Sequence, residues 1–234
     1  EVLIRVQASG ICHSDLHYLN GDLPFSGAAV FGHEVSGIVE AVGSDVTTVR
    51  PGDHVIACAS GFCGHCTTCV SGKSHLCADK PRRGAGTRPR LALRGQPVMQ
   101  GMQIGGFAEM VLLHQNYVVA VDRDLPLDRA ALLGCGVLTG LGTVINRAQV
   151  VPGSKVVVVG CGGVGLNVIQ GARISGASQI VAVDLAPGKL ELARKMGATD
   201  VVIGGPDAVE AVRQVTGGGA DYAFEVIGLA ATIA

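Results

Sequence analysis

The chain has 234 residues, 48% of them hydrophobic and 16% charged, with a formal net charge of −1 at pH 7. This length and apolar content allow one large domain or two smaller ones with buried cores, and no apolar stretch approaches the length of a membrane span. The near-zero net charge argues against nucleic acid or an acidic membrane as a partner, because it provides no basic footprint. The aromatic content of 3% also argues against single-stranded nucleic acid, because it provides few base-stacking surfaces.

The first half of the chain, residues 1–136, consists of short alternating apolar stretches separated by Gly, Pro and Asp. Such alternation predicts a β-rich domain with many turns. The expected strands are Val2–Val6, Ser36–Val42, His54–Cys58 and Ala108–Leu113. Because the chain begins without Met inside the first of these stretches and ends soon after a strand, we expect it to be a fragment that lacks both ends of the protein, so that it carries no information on targeting.

One short stretch contains four cysteines: Cys63, Cys66, Cys69 and Cys77. Their spacing lets four thiolates converge on one point from a single loop, which is the tetrahedral geometry of structural zinc. Four protein ligands leave no open coordination position, so we predict a structural site in a lobe at residues 58–80. Two disulfides are the competing interpretation, and it is disfavoured because cysteines this close in sequence bridge only with strain.

The stretch from Lys80 to Ala108 contains basic residues and no acidic one. Prolines interrupt it, which favours a solvated surface loop. An anion-steering rim near a cleft is the alternative. The basic residues of this segment are Lys80, Arg82, Arg83, Arg88, Arg90 and Arg94.

From about residue 137 the pattern changes to apolar strands that alternate with helical stretches. Lys155–Val159 is a β-branched run, typical of a parallel strand buried on both faces. The elements expected after it are a helix at 164–176, a strand at 179–183, a helix at 187–196, a strand at 200–203, a helix at 207–216 and a strand at 220–226. This order predicts a doubly wound parallel sheet. Its four strands, against about six in the complete fold, predict a truncated domain.

The run Gly-Cys-Gly-Gly-Val-Gly occupies residues 160–165, between the first of these strands and the first helix. Such a glycine pattern binds a dinucleotide when a strand precedes it and a helix follows it. Gly160 permits the tight turn, Gly162 lets the backbone approach a pyrophosphate, and Gly165 allows close packing of helix on strand. We predict a cofactor contact at these three glycines and at Gly163.

Asp184 ends the second strand of this half, 19 residues after Gly165, near the expected position of a ribose-binding carboxylate. A carboxylate there accepts hydrogen bonds from ribose hydroxyls and repels a 2′-phosphate, so NAD is favoured over NADP. Capping of the helix that starts near Pro187 is the alternative role for Asp184. Lys189 is a further candidate for a ribose contact, with a solvated helix-face lysine as its alternative.

The remaining cysteines are Cys12, Cys58, Cys135 and Cys161. Cys12 opens the sequence Cys-His-Ser-Asp-Leu-His, His33 lies in Gly-His-Glu, and Cys135 lies in Gly-Cys-Gly. Taken singly, each fits a buried cysteine or a core histidine. Together with the four-cysteine stretch and the glycine loop, and in this order, they give the chain a resemblance to the zinc-dependent medium-chain alcohol dehydrogenase family over nearly its whole length.

The resemblance implies an α/β fold with a β-rich GroES-like catalytic domain at residues 1–136 and a truncated Rossmann-type NAD-binding domain at 137–234. It also implies two zinc ions per chain and NAD as cofactors.

The resemblance implies a catalytic zinc ion held by Cys12, His33 and Cys135. This Cys2His ligand set is the one already known for alcohol dehydrogenase. Glu34 then lies near the metal, able to approach it during ligand exchange. Asp15 orients His33 and so fixes its tautomer and basicity. Helix capping is the alternative role for Asp15.

Further positions are implied in the same way. Ser14 relays the alcohol proton and His17 passes it to solvent, with helix capping as the alternative for Ser14. His13 matches a position that contacts the cofactor pyrophosphate, and Thr139 and Val164 match positions that line the nicotinamide. The other histidines match no ligand position and are interpreted as surface or structural residues: His54, His65, His75 and His114.

The implied activity is hydride transfer from a zinc-bound alkoxide to NAD, giving an aldehyde or ketone. Ala59 matches a pocket wall, where a small side chain favours bulky or aromatic primary alcohols. The alternatives are a dehydrogenase of formaldehyde–thiol adducts, for which the basic segment suits an anionic substrate, a non-catalytic zinc- and NAD-binding protein, and a redox-active thiol protein. We expect a small-molecule substrate, a homodimer or homotetramer, and a cytoplasmic location, because the clustered cysteines favour a reducing compartment.

Overall fold

A computed structural model describes residues 1–81 and 88–233 of the chain. The chain divides into two compact units, Glu1–Cys135 and Gly136–Ala234. Arg82 and Arg83, which belong to the predicted basic segment, lie outside the described residues.

The first unit is β-rich, as predicted. Five of its strands form an antiparallel sheet in the order β7-β1-β3-β4-β8, and β2, β6 and β5 form a second sheet. The four strands expected from the sequence are present with shifted ends, and β1 continues to Gly10 instead of ending at Val6. The strands are β1 (Val2–Gly10), β2 (Ala29–Val30), β3 (Glu34–Val42), β4 (His54–Ala57), β5 (Leu91–Leu93), β6 (Gln96–Gln100), β7 (Met110–Leu113) and β8 (Val118–Ala120).

Short helices connect these strands. They are α1 (His13–Leu19), α2 (Thr67–Val70) and α3 (Leu127–Ala130), with 3₁₀ turns at Ser74–Leu76, Gly101–Gln103, Gln115–Tyr117 and Ala131–Gly134. Cys12 takes the extended N-cap position of α1, so Ser14 does not cap this helix. Asp15 is the third helical residue, and its carboxylate accepts the N–H of Cys12 at 3.1 Å, which is the reciprocal bond of a capping box.

Alternation along the strands fills the core of the first unit. Val2 and Ile4 of β1 are fully buried, and they belong to one apolar cluster with Val35 of β3 and Val55 of β4. Because side chains alternate between the faces of a strand, residues two apart share the buried face. At the far end of the β1–β3 pair, Gly10 lies opposite Glu34. This strand end therefore lies close in sequence to both Cys12 and His33.

The second unit contains the predicted parallel sheet, in the order β11-β10-β9-β12. Its strands are β9 (Lys155–Val159), β10 (Gln179–Asp184), β11 (Asp200–Ile203) and β12 (Tyr222–Glu225). Its helices are α4 (Gly136–Gly142), α5 (Gly163–Ile174), α6 (Pro187–Met196), α7 (Ala208–Thr216) and α8 (Ala230–Ile233), and a π-helical turn covers Thr143–Ala148. The doubly wound fold is confirmed, with helix and strand ends within a few residues of those expected.

Both faces of this sheet are buried. Val156 and Val158 of β9 pack into the cluster that also contains residues of α5 and α6, whereas Val157 packs with β10, β11 and α7. A strand buried on both faces needs apolar residues at every position, which explains the unbroken valine run.

Helix α4 and the π-helical turn after it were not among the predicted elements. Gly140 sits where α4 meets α5, and a Cβ there would lie 2.5 Å from the Cβ of Asn167. The glycine therefore permits close helix packing instead of breaking the helix. Among the described residues no single helix is long and apolar enough to cross a membrane; one bent pair, Leu127–Gly134 with Gly136–Ala148, reaches that length and composition only when both halves are counted.

Candidate metal centres and dinucleotide loop

Three residues far apart in sequence bring their ligand atoms within 4.8 Å of one another: Cys12, His33 and Cys135. We call them the three-donor cluster. Cys12 directly precedes α1, His33 directly precedes β3, and Cys135 follows the 3₁₀ turn Ala131–Gly134. Two thiols and one imidazole are a zinc ligand set that leaves a fourth coordination position for water or substrate.

Two glycines allow the ligand-bearing segments to approach. Gly134 lies against β4, where a Cβ would overlap the backbone oxygen of Ala57. Gly32 has a φ of +89°, in the left-handed region, and a Cβ there would lie 2.7 Å from the backbone nitrogen of Phe107. Because only glycine tolerates both demands without strain, these positions fix the paths of the chain next to Cys135 and His33.

His33 is the buried member of the three-donor cluster, with 1% of its surface exposed. Its Nδ1 lies 3.4 Å from a carboxylate oxygen of Asp15, but neither ring nitrogen has a hydrogen-bond partner within the described part of the chain. A buried polar group without a partner is costly. A metal ion bonded to the imidazole and to the two neighbouring sulfurs removes this cost, so these residues fit zinc.

The electrostatics of the cluster also favour a cation. Cys135 and His33 lower the pKa of the Cys12 thiol from 9.0 to about 3, so Cys12 is a thiolate at neutral pH. Burial alone lowers the pKa of His33, but Cys12 and Asp15 outweigh burial and raise it above its usual value. A thiolate and a carboxylate thus surround one imidazole, which places excess negative charge at the site.

Asp15 holds together the segments that carry two of the donors. It is 2% exposed, and its carboxylate accepts hydrogen bonds from the N–H groups of Cys12 and Gly32, both at 3.1 Å. One of its oxygens also faces His33. Asp15 therefore fixes the start of α1 relative to the residue before His33, and it restricts the orientation of the ring.

Glu34 follows His33 and is buried. A Cβ on Gly10, its partner in the β1–β3 pair, would overlap the Glu34 carboxylate. The absence of a side chain at Gly10 therefore makes room for this carboxylate at the end of the β1–β3 pair. Approach of Glu34 to a metal ion stays a prediction.

Helix α1 carries the predicted proton path. The hydroxyl of Ser14 lies 3.7 Å from the sulfur of Cys12. His17 lies three residues farther along the same helix face; its side chain is 50% exposed, and its Nδ1 is 2.9 Å from the Asp22 carboxylate. The ring of His13 lies 5.9 Å from that of His17. Ser14 thus lies beside a half-buried sulfur and His17 is half exposed to solvent, while the proton path between them and the cofactor contact of His13 stay predictions.

The four-cysteine cluster comes from one loop. All four sulfurs lie within 4.8 Å of one another, with separations of 3.4 Å for Cys66–Cys69 and 3.8 Å for Cys63–Cys69 and Cys66–Cys77. A tetrahedron with metal–sulfur bonds of about 2.3 Å has edges of about 3.8 Å. The arrangement fits one zinc ion, and the described cysteines are all free thiols, so the disulfide interpretation is not supported.

The thiols of this cluster differ in acidity. The Thr68 hydroxyl, 3.0 Å from the sulfur of Cys66, lowers the pKa of Cys66 to about 6. Removal from solvent raises the pKa of Cys69 to about 12. Some thiols therefore keep their protons until a metal ion replaces them, and zinc binding here releases protons.

The glycine loop connects β9 to α5. Gly160 has a φ of +100°, and a Cβ on Gly165 would overlap the backbone oxygen of Gly160, so α5 packs directly on the strand end. At Gly162 and Gly163 a Cβ would meet no atom within 4 Å. The start of α5 has no side-chain cap, so its N–H groups are available to an anion in this open space.

Asp184 closes one side of this loop. Its carboxylate accepts hydrogen bonds from the N–H groups of Cys161 at 2.8 Å and Ala186 at 3.0 Å, and Lys189 Nζ lies 3.7 Å away. Burial raises the pKa of Asp184, but the N–H groups of Ala186 and Cys161 and the charge of Lys189 outweigh it and lower the pKa below 3.8. The N-cap of α6 is Ala186, so Asp184 does not cap that helix.

The two nicotinamide candidates lie where α4 and α5 meet. Thr139 is exposed on α4 and Val164 is half-buried on α5. Between them, a Cβ on Gly140 would lie 2.7 Å from the backbone oxygen of Val164. The structure therefore brings the segments of both candidates together, and contact with a nicotinamide stays a prediction.

Comparison with known proteins identifies the family. The model for the alcohol dehydrogenase GroES-like domain matches residues 1–123, and that for zinc-binding dehydrogenases matches residues 163–234. The chain belongs to the zinc-dependent medium-chain alcohol dehydrogenase family. The predicted cofactors of the family, zinc and NAD, agree with the two sulfur-containing clusters and the glycine loop.

The similar proteins are named as dehydrogenases of different substrates. The chain is 42% identical, over 97% of its length, to S-(hydroxymethyl)glutathione dehydrogenase of Saccharomyces cerevisiae, and it spans 62% of that protein. It is 38% identical to benzyl alcohol dehydrogenase from Acinetobacter calcoaceticus, with a TM-score of 0.87 over 99% of this chain and 64% of that one. An alcohol dehydrogenase zinc-binding domain protein from Burkholderia ambifaria gives 39%, a TM-score of 0.86, and coverage of 99% and 65%. The chain therefore spans less than two thirds of these alcohol dehydrogenases.

The basic segment has a partly structural explanation. The Arg90 guanidinium donates to Glu1 at 2.9 Å and to Gln100 at 3.0 Å. This pairing ties the segment to the first residue of the chain, so Arg90 is engaged in holding β-rich structure rather than free for an anion.

Sequence reasoning missed three side chains next to alcohol dehydrogenase site residues. Asp22 holds His17, and His65 and Asp79 place their ligand atoms within 4.8 Å of that of Cys63. The signal for the second pair was present, because His65 lies inside the first Cys-x-x-Cys pair and Asp79 follows Cys77 by two residues. The interpretation of His65 as a surface residue agrees with its exposure. It did not include the closeness of the His65 ring to Cys63 and Asp79.

Proposed function

We propose that the whole protein is a zinc- and NAD-dependent alcohol dehydrogenase that oxidises an alcohol to an aldehyde or ketone. The observation that carries this proposal is the convergence of Cys12, His33 and Cys135 within 4.8 Å. The structural type of zinc site is closed by four protein ligands, whereas three ligands leave a position for substrate. Among its described residues the chain contains one group of four cysteines, and Cys12, His33 and Cys135 form a three-donor group that shares no residue with it.

Cys12, His33 and Cys135 would hold the zinc ion of this reaction. When bound there, zinc supplies a Lewis acid that lowers the pKa of a substrate hydroxyl group. Asp15 keeps the imidazole of His33 in its ligand orientation.

The proton leaves the substrate along α1. Ser14 passes it outward from its position near the Cys12 sulfur, and His17 releases it to solvent. Asp22, 2.9 Å from the His17 ring, holds that imidazole in place.

NAD binding is assigned to residues 137–234, and zinc chemistry to residues 1–136. The glycine loop receives the pyrophosphate at the start of α5, and Asp184 binds the ribose hydroxyls with Lys189 beside it. Thr139 and Val164 border the nicotinamide, which accepts the hydride. We also propose that His13 contributes to binding of the pyrophosphate.

A bulky or aromatic primary alcohol is the proposed substrate. Ala59 is half-buried next to the core of the first unit, where its methyl group occupies little space. The similarity to benzyl alcohol dehydrogenase from Acinetobacter calcoaceticus supports this substrate class.

A second candidate is oxidation of S-(hydroxymethyl)glutathione. The similarity to proteins of that name in Saccharomyces cerevisiae and Synechocystis, each 42% identical, supports it. Because Arg90 is engaged with Glu1 and Gln100, an anionic substrate would need other basic side chains.

An alcohol panel tests the proposal on the whole protein, expressed from its complete coding sequence and followed by NADH formation. We expect kcat/KM for benzyl alcohol to exceed that for ethanol by about tenfold or more. A preference for ethanol contradicts the aromatic substrate, and turnover only with formaldehyde plus glutathione favours the second candidate. If the protein binds zinc and NAD but shows no turnover, a non-catalytic role is favoured.

The whole protein is also proposed to be a homodimer or homotetramer. Analytical sedimentation measures its mass in solution and so checks this proposal.

A further inference from the structure

The loop that carries the four-cysteine cluster contains a second group of metal-binding donors: Cys63, His65 and Asp79. Their ligand atoms lie within 4.8 Å of one another. His65 Nε2 is 3.9 Å from Asp79 Oδ2, and the two side chains are 74% and 75% exposed. Cys63 belongs to both groups, so one sulfur connects a solvent-exposed His–Asp pair with the four-cysteine cluster.

The chemistry of these donors suits zinc. Zinc binds thiolate, imidazole and carboxylate with bond lengths of about 2.0–2.3 Å, which places tetrahedral ligands about 3.3–3.8 Å apart. The donors of Cys63, His65 and Asp79 are therefore within about 1.5 Å of binding distance, a shift that exposed side chains make by rotation between staggered conformations. With three protein ligands, water completes the coordination and keeps the site exchangeable.

The four-cysteine cluster itself has no free coordination position. A zinc ion held by four sulfurs leaves readily only when an incoming ligand replaces one of them. His65 and Asp79 provide such ligands beside a sulfur that stays bonded. During release a bond from zinc to His65 or Asp79 forms while a bond to Cys66, Cys69 or Cys77 breaks, and during entry the same bonds change in the opposite sense.

We propose that Cys63, His65 and Asp79 form an outer zinc site through which zinc enters and leaves the four-cysteine cluster. A purely surface role for the pair is the competing explanation, because an exposed His–Asp pair contributes little to stability. The two explanations differ in their kinetic consequence. Only an outer site changes the rate of zinc transfer without changing the zinc content at equilibrium.

The test measures zinc release to the chelator 4-(2-pyridylazo)resorcinol and reloading from free zinc. The first measurement uses the whole protein with Cys135→Ser as the parent, because this substitution removes one ligand of the three-donor cluster. A second measurement follows the exchange of isotopically labelled zinc into the protein without Cys135→Ser. The variants are His65→Ala, Asp79→Asn and the conservative Asp79→Glu. The matched control is His75→Ala, since His75 is exposed in the same lobe and belongs to neither donor group among the described residues.

We expect His65→Ala and Asp79→Asn to slow release and reloading by about tenfold, the size typical of losing a group that supports a metal ligand. Asp79→Glu keeps a carboxylate ligand and should retain most of the rate, and His75→Ala should match the parent protein. Equal rates in His65→Ala, Asp79→Asn and His75→Ala would overturn the proposal. A loss of zinc content at equilibrium in the first two variants would also overturn it, because that result assigns the residues to holding zinc rather than to transferring it.

Discussion

The two sulfur-containing clusters of this chain are built by opposite means. The four-cysteine cluster takes its ligands from residues 63–77 of one loop, whereas the three-donor cluster takes Cys12, His33 and Cys135 from segments that only the folded unit brings together. In the first, the sulfurs contact one another and Thr68 of the same loop; the second contains a fully buried imidazole that Asp15 orients. A closed site needs only a loop, but an open site needs rigid surroundings that prevent a fourth side chain from filling it.

The largest expected effect separates the roles of the two clusters. Cys135→Ser should lower kcat/KM of the whole protein by at least about a thousandfold, because the Lewis acid that activates the alcohol is lost. Zinc content should fall by one ion per chain while the four-cysteine cluster keeps its own. The matched control is Cys58→Ser, since Cys58 belongs to neither cluster. Normal turnover by Cys135→Ser would end the distinction between an open and a closed site.

The converse substitution tests whether the loop cluster is structural. Cys69→Ser should lower the free energy of unfolding by about 4 kcal/mol, because large losses of this size accompany loss of a bound metal. Turnover per folded molecule should change much less than in Cys135→Ser. Urea denaturation with activity measured in parallel provides both numbers, and unchanged stability would show that the loop does not depend on its metal.

Asp15 tests how far the three-donor cluster depends on its surroundings. Asp15→Asn should weaken zinc binding at this cluster by about 10- to 100-fold, as expected when a group that orients a histidine ligand is altered. Asp128→Asn, an exposed change in the same unit, is the control. The zinc affinity of the four-cysteine cluster should be unaffected. Wild-type affinity at the three-donor cluster would mean that the loop positions alone set the ligand geometry.

The dinucleotide loop is an intermediate case, because its parts come from the ends of neighbouring strands. The folded protein lowers the pKa of Asp184 below 3.8, so the stability from this carboxylate is present above its unfolded pKa and is lost as pH falls through its folded pKa. Asp184→Asn should therefore cost under about 1 kcal/mol at neutral pH, and this cost should vanish in acid. Urea unfolding at a series of pH values measures it; a cost independent of pH would contradict the assignment.

The same substitution changes cofactor preference. With the charge removed, the repulsion of a 2′-phosphate disappears, so the ratio of NADP affinity to NAD affinity should rise. Fluorescence titration with both cofactors gives this ratio, and Asp207→Asn, a change near the start of α7, serves as the control. An unchanged ratio would remove Asp184 from the ribose site.

The two clusters also differ in what sequence can predict. The spacing of Cys63, Cys66, Cys69 and Cys77 predicts convergence without any fold, because a loop of this length cannot carry them far apart. Nothing local fixes the distance between Cys12 and Cys135, so that pairing follows only from the family resemblance. The glycines that make the approach possible, Gly134 among them, act through backbone contacts with distant residues such as Ala57.

The fold shows the same division. The unbroken β-branched run of Lys155–Val159 predicts a strand buried on both faces, and the structure has it with these ends. Strand β2, with two residues, is too short to leave a pattern, so the sheet of β2, β6 and β5 was not predicted. Gly140 marks helix packing, although glycine in sequence usually suggests a break. His65 and Asp79 lie inside and just after the four-cysteine stretch, but a single histidine and a single aspartate in a polar loop are also typical of an ordinary surface, so their approach to Cys63 was not predicted.

The central claim is most directly tested by zinc-edge anomalous diffraction from crystals of the whole protein grown with zinc. We predict a peak within about 2.3 Å of the sulfurs of Cys12 and Cys135 and of a ring nitrogen of His33. A second peak should lie inside the four-cysteine cluster. Density only in the four-cysteine cluster, or an ion at the other position bonded to fewer than these three residues, would contradict the account.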